Sequence, residues 1–323
     1  MPDQAASGYA FGVRVTELRL SAVLLLIAAC LLVGAPGAQA QIDRRCFTND
    51  AGTRCYYLHV PPGVAAGKPL MVYLHGCDDP LTHPRPSGFS LTRVADEMGF
   101  VLAYPLQDQA ANRQRCWNWD KAENQQRDQG EPSIIAGITT ALIEEFQLDR
   151  ARVYLGGYSA GGATVTNLGA TYPDLYAAIA PMAGAPYRTK LDGQAIIDAM
   201  GPRARPMPTF FLQTLFDQIS NIVIGRTNLA QWLAADNLAD PGSAPALPTS
   251  TQVLVLGPGL PIPLTVEHYA SPRGCELAQF TTPLLAEHAL GAGLLQQDHG
   301  IEIQRNLMRF LLAHRMPPPA QTC

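Results

Sequence analysis

Residues 157–162 read Gly-Tyr-Ser-Ala-Gly-Gly. A serine hydroxyl is a weak nucleophile, and three things activate it: a base, an acid that orients the base, and amides aimed at the oxyanion. The serine must also be exposed on a sharp turn, and G-x-S-x-G has the residue types for that. Glycines on either side let a strand and a helix approach without Cβ clashes, so that the serine projects. The stretch 152–159, RVYLGGYS, is strand-like and a helical pattern follows it, which is the setting this motif needs. The plain alternative is a glycine-rich turn holding a structural serine. Strand, motif and helix in register favour Ser159 as nucleophile, with the Ala160 amide at the helix N-terminus as one oxyanion donor. A second donor is expected from an earlier strand end. LHGCDD at 74–79 supplies one, with Gly76 allowing a tight turn and the amide of Cys77 facing the site. His75 is read as bracing that turn.

These groups need a rigid sheet behind them. Short apolar runs at 69–76, 99–105, 152–159, 176–184, 208–214 and 264–270 read as strands. Between and after them come helical patterns at 132–146, 228–238 and 301–314. Ile134, Ile138, Leu142 and Phe146 mark one face of the first, and Ile303, Leu307, Phe310 and Leu311 one face of the last. Uninterrupted apolar strands alternating with helices predict a single α/β domain, a mostly parallel sheet with helices on both faces. The Pro/Gly-rich stretch 239–250, with 257–263 after it, reads as an inserted loop.

Residues 1–40 are expected to lie outside this domain. Arg14 and Arg19 precede an apolar run too short to span a bilayer comfortably, and Ala38-Gln39-Ala40 follows. This pattern predicts a secretory signal peptide over 1–40 and a catalytic domain over 41–323. The sequence around Cys30 also resembles a lipoprotein cleavage box, but the apolar Leu31-Leu32-Val33 after it favours free secretion. The net charge of −4 gives no basic field for nucleic acid or for anionic lipid, so no nucleic-acid partner is expected, and no membrane partner once the signal is removed. Six cysteines remain: Cys46, Cys55, Cys77, Cys116, Cys275 and Cys323. An even number in an exported chain predicts disulfides, and the turn-rich segment between Cys46 and Cys55 suits a hairpin. The rival reading, a metal site, lacks C-x-x-C, H-E-x-x-H or any tight Cys/His cluster, so no metal is expected.

The segments YLHGC, CWNWD (116–120), GEPSIIAGI (130–138), GGYSAGGA (156–163) and 170–187 together resemble the extracellular poly(3-hydroxybutyrate) depolymerase and feruloyl-esterase-like group of α/β-hydrolases. The likeness runs over most of 42–315 and is most specific between Leu74 and Tyr187. It implies an α/β-hydrolase fold and a serine esterase without metal or cofactor, acting on polymeric or oligomeric esters. It also implies a disulfide between Cys77 and Cys116. Trp117 and Trp119 are then expected either to line the substrate cleft or to cover the edge of the core.

The triad order in such a fold is serine, acid, histidine. Asp217 follows the strand at 208–214, at the edge where α/β sites gather, and is the expected acid. Gln213-Thr214 stands where the family usually has His-Gly. His59, His75 and His83 come too early in the chain, His268 falls inside a strand, and His314 ends the last helix. That leaves His288 and His299. Asp298 can cap the last helix, which puts His299 in its first turn. His288 precedes the loop ALGAG, which lets it reach over the nucleophile, and the family's base segment echoes its His-Ala. His288 is therefore the expected base. The function expected is a secreted serine carboxylesterase, with aliphatic polyester such as polyhydroxybutyrate as substrate and a feruloyl or acetyl ester on plant polysaccharide as runner-up. A peptidase of the same fold and a non-catalytic binding scaffold are the lesser alternatives.

Overall fold

A computed structural model describes residues 41–64, 66–77, 90–188, 192–256, 262–284, 287 and 300–316. The proposed signal segment, His83, Asp298, His288, His299 and Cys323 lie outside the described residues. The chain divides into a short unit, Met1–Gln39, and one compact unit, Ala40–Cys323, to which everything below belongs.

The strands are β1 (Gln41–Asn49), β2 (Gly52–Val60), β3 (Leu70–Leu74), β4 (Val101–Pro105) and β5 (Val153–Tyr158). They continue with β6 (Ala178–Met182), β7 (Thr209–Leu212), β8 (Ser250–Leu256), β9 (Ile262–Ala270) and β10 (Glu276–Pro283). They form one sheet in the order β1-β2-β4-β3-β5-β6-β7-β10-β9-β8. From β4 to β10 every neighbouring pair is parallel. Antiparallel strands extend both edges.

Every residue of β3, β5 and β6 is buried, because the sheet is covered on both faces. One face packs on α2 (Gly130–Glu145), α3 (Ala160–Thr171), α4 (Gln194–Met200) and α5 (Ile222–Ala239), through Ile134, Leu142, Leu168, Ile196 and Trp232. The other packs on α1 (Ser90–Met98) and α6 (Ile301–Leu312), through Val94, Ile303, Leu307 and Phe310. The mostly parallel sheet with helices on both faces, expected from the strand and helix patterns, is the layering observed.

The N-terminal hairpin pairs Asn49 with Gly52 across a two-residue turn and sets Cys46 opposite Cys55. These two form a disulfide. Closing so short a loop contributes about 2–3 kcal/mol on the chain-entropy account. Arg45 to Glu145 (2.7 Å) and Asn49 to Ser133 (3.1 Å) fasten the hairpin to α2. Cys275 is also disulfide-bonded.

Two elements differ from expectation. Residues 250–256 are not part of a loop: Thr-Gln-Val-Leu-Val-Leu alternates poorly and sits beside prolines, yet it pairs with β9 over its whole length as the sheet's edge. β10, with glutamine and threonines among its apolar residues, is a fully formed inner strand. The last helix begins at Ile301 with Gly300 as its N-cap, and the expected capping residue, Asp298, lies outside the described residues. At its other end His314 is buried, with its ring nitrogens 2.8 Å from the carbonyls of Phe310 and Glu276, and it ties α6 to β10.

Asp236 is buried on α5. Its Oδ1 accepts from the Met207 amide at 2.8 Å, and its Oδ2 has no partner among the described residues. Burial pushes this carboxyl up to about 8, against the pull of the Met207 amide and the Arg205 charge. Between about pH 4, where the unfolded carboxyl loses its proton, and pH 8 the folded chain holds a proton that the unfolded chain has released. Stability therefore falls as pH rises through this window. Asp236→Asn keeps the acceptor for Met207 and removes the penalty. Chemical denaturation from pH 5 to 8 is expected to show the variant gaining on the parent chain with rising pH, by up to about 1.4 kcal/mol per unit. A difference independent of pH contradicts this.

Candidate active site

β3, β5, β6 and β7 run parallel, so the segments that leave their C-terminal ends meet along one edge of the sheet. Ser159 lies between β5 and α3 with φ 57° and ψ −121°. A residue with a Cβ pays about 1–3 kcal/mol for such a conformation, which persists only where its surroundings impose it. Here the Ser159 amide donates to the Met182 carbonyl at 2.9 Å, and its own carbonyl accepts from Ala163 at 2.9 Å to start the helix. Two glycines allow the approach. A Cβ on Gly161 would stand 2.3 Å from the Leu74 carbonyl oxygen, and one on Gly162 would stand 2.4 Å from that of Met182. The first turn of α3 is thus wedged between the ends of β3 and β6.

The oxyanion candidates come from the two sides of this wedge. Ala160 opens α3, where helical amides have no intrahelical acceptor. Gly76 lies beside the nucleophile, since a Cβ placed on it would be 3.4 Å from that of Ser159. Cys77 is next and is joined to Cys116 by a disulfide, the pairing the resemblance implied. His75 is buried at 2% exposure. Its Nε2 accepts from the Gln107 amide at 3.0 Å, so its proton sits on Nδ1, which donates to the Gly76 carbonyl at 2.6 Å. Burial lowers its pKa to about 4 and keeps the ring neutral, as a brace rather than a base.

Asp217 follows β7 and is buried at 3% exposure. Its Oδ1 accepts from the amides of Ile219 (2.9 Å) and Ser220 (2.7 Å), and its Oδ2 accepts longer bonds of 3.4 Å from Gln213 and Thr214. These bonds fix the carboxylate on its loop. Burial, and then the charge of Asp217, push the Tyr158 phenol upward. Both candidate bases, His288 and His299, lie outside the described residues.

The two tryptophans separate. Trp117 is 1% exposed and packs against the His75 ring at a centroid distance of 5.5 Å. A side chain so enclosed offers no surface to a substrate, so the expectation that Trp117 lines the cleft is corrected to the core-edge alternative. Trp119 is half-buried, and its carbonyl accepts from Asn167 at 2.9 Å.

Below this loop lies a polar cluster that periodicity cannot reveal. Glu131 is buried and accepts from Arg54 (3.1 Å), from the Gln107 side chain (2.5 Å), and from the Asn118 side chain (2.6 Å) and amide (2.8 Å). Its position within GEPSIIAGI and that of Asn118 within CWNWD were visible as motifs, but nothing in the spacing joined them. Among the described residues, no group of His, Cys, Asp and Glu is arranged to hold a metal ion.

A family profile described as "Esterase PHB depolymerase" matches residues 54–230, just over half of the 323-residue chain. Poly(3-hydroxyalkanoate) depolymerase C of Paucimonas lemoignei is 34% identical over 197 residues, covering 60% of this chain and 46% of the relative. Feruloyl esterase B of Neurospora crassa is 33% identical over 132 residues, covering 40% of this chain and 43% of the relative. The chain thus spans less than half the length of these curated relatives. The structure is similar to that of an acetyl xylan esterase from Aspergillus awamori, with a TM-score of 0.61 at 17% identity over 77% of this chain and 94% of the other, which shows a shared fold. By its strained serine turn and its profile match, the chain belongs to the PHB depolymerase esterase family.

Proposed function

We propose that this chain is an exported serine carboxylic-ester hydrolase that acts on aliphatic polyester or its oligomers, polyhydroxybutyrate among them. The observation that carries the reading is Ser159, held at a strained turn between β5 and α3 with Gly76 beside it and Asp217 buried on the loop after β7. In this reading His288 removes the proton from Ser159 Oγ as it attacks the ester carbonyl, and Asp217 accepts a hydrogen bond from the far ring nitrogen and stabilises the imidazolium. The amides of Cys77 and Ala160 hold the oxyanion. The tetrahedral intermediate collapses, His288 protonates the departing alkoxide, and water hydrolyses the acyl-enzyme by the same route. Disulfides suit an exported protein.

Support for a solid or oligomeric polyester comes from the surface around Asp217. Leu215, Phe216, Ile219 and Val223 are exposed, at 40%, 59%, 73% and 67%. Apolar side chains clustered next to a reactive site offer a face to an apolar substrate. The similarity to feruloyl esterase B favours the second reading, a feruloyl or acetyl ester on plant polysaccharide.

Two experiments test these assignments. His288→Ala is expected to lower kcat on a short-chain p-nitrophenyl ester by about ten-thousand-fold or more, with His299→Ala within a few-fold of the parent chain. The reverse outcome would move the base to His299. For the substrate, clearing of suspended polyhydroxybutyrate is compared with ferulate release from xylan. The polyester reading predicts clearing, and a double substitution Ile219→Ser, Val223→Ser that reduces clearing at least tenfold more than it reduces hydrolysis of a soluble ester. Ferulate release without clearing would establish the second reading instead.

A further inference from the structure

We propose that Gln107 and Glu131 are positioning residues for the oxyanion donor, holding the Gly76–Cys77 peptide in register with Ser159 from both of its ends. The inference rests on the assignment of the Cys77 amide as an oxyanion donor in the proposed esterase.

The peptide that carries the Cys77 N–H also carries the Gly76 carbonyl. His75 Nδ1 donates to that carbonyl at 2.6 Å. A hydrogen bond at the oxygen end of a peptide fixes its plane and polarises the N–H at its other end. His75 can do this only as the Nδ1–H tautomer, and the Gln107 amide selects that tautomer by donating to Nε2 at 3.0 Å. Gln107 therefore acts on the carbonyl end through its main chain.

Its side chain acts on the other end. Gln107 Nε2 donates to the Cys116 carbonyl at 3.0 Å, and Cys116 is bonded to Cys77. The same Nε2 donates to Glu131 Oε1 at 2.5 Å. Glu131 also holds both the amide and the side chain of Asn118, two residues beyond Cys116. The loop bearing the disulfide is thus tied to one buried carboxylate. That carboxylate is paired with Arg54 at the start of β2, which stands beside the C-terminal end of β4. A buried ion pair seldom adds net stability over apolar packing, and in some proteins it instead specifies a single geometry. The feature needing a single geometry here is the amide beside Ser159. Gln107 Oε1 has no partner among the described residues, so its side chain acts through the two bonds its nitrogen donates.

Gln107→Met keeps the length of the side chain and removes both of those bonds. The readouts are kcat and KM on p-nitrophenyl butyrate, Ki for an alkyl boronic acid that forms a tetrahedral anion on the serine, and the thermal midpoint. The expected result is a loss of at least tenfold in kcat with KM within twofold, and a boronate Ki raised by the same factor as kcat/KM falls. Glu131→Gln, which keeps shape but loosens the grip on Gln107, is expected to move both quantities in the same ratio, and it serves if Gln107→Met does not fold. Thr139→Val removes a buried hydroxyl on α2 that bonds the Ile135 carbonyl and the Tyr176 hydroxyl, and is the stability control, expected to lower the midpoint with kcat unchanged. Unchanged kcat in Gln107→Met, a loss confined to KM, an unmoved boronate Ki, or an equal kcat loss in Thr139→Val would overturn the role. Ser159→Ala measured alongside separates the two levels. If it retains turnover the serine mechanism itself fails, whereas an inactive Ser159→Ala beside a fully active Gln107→Met overturns only the role of Gln107.

Discussion

The backbone of α3 meets the ends of β3 and β6 with no side chain between them, and the rest of the site depends on that closeness. Gly161 faces the Leu74 carbonyl and Gly162 the Met182 carbonyl at distances that no Cβ could share. Only with the helix wedged this deeply does Ser159 adopt φ 57°, anchored by the Met182 carbonyl. The same wedge brings Gly76 against the nucleophile and aligns the first turn of α3 toward the edge where β3, β5, β6 and β7 end. The strain is local. The parallel strands on either side, buried over their whole length, are what sustain it.

Around this wedge the protein uses two different kinds of surroundings. Beneath the oxyanion loop lie buried polar groups, with His75, Gln107, Asn118 and Glu131 all shielded from solvent. Such groups are costly unless each finds a partner, and their mutual bonds leave the loop little freedom. On the other side, after β7, the Asp217 carboxylate is fixed by amides of its own loop while that loop exposes Leu215, Phe216 and Ile219 outward. One side suits a fixed electrostatic task, and the other suits contact with an apolar substrate.

Much of this was legible in the sequence, for identifiable reasons. G-x-S-x-G between a strand and a helix has few physical solutions, and continuous apolar runs such as 69–76 and 152–159 are those of doubly covered parallel strands. Asp217 could be placed because an acid must follow a later strand. β8 and β10 were less legible. β8 has both faces exposed over much of its length, and β10 mixes threonine and glutamine into a buried strand, so neither shows a clean period. Trp117 was ambiguous because a tryptophan in a loop reads the same whether it faces the core or the cleft, and only packing against His75 decides. The Glu131 cluster was invisible because its members come from β2, the loop after β4, the Cys116 segment and α2, and only the fold brings them together.

The central claim is that Ser159 carries the reacting oxygen, set apart by its turn from every other serine among the described residues. Brief exposure to a fluorophosphonate, followed by proteolysis and mass spectrometry, tests it directly. The account predicts one adduct per chain, on the peptide containing Ser159, with esterase activity lost in step with labelling. Labelling elsewhere, or full activity in chains labelled at Ser159, would contradict it.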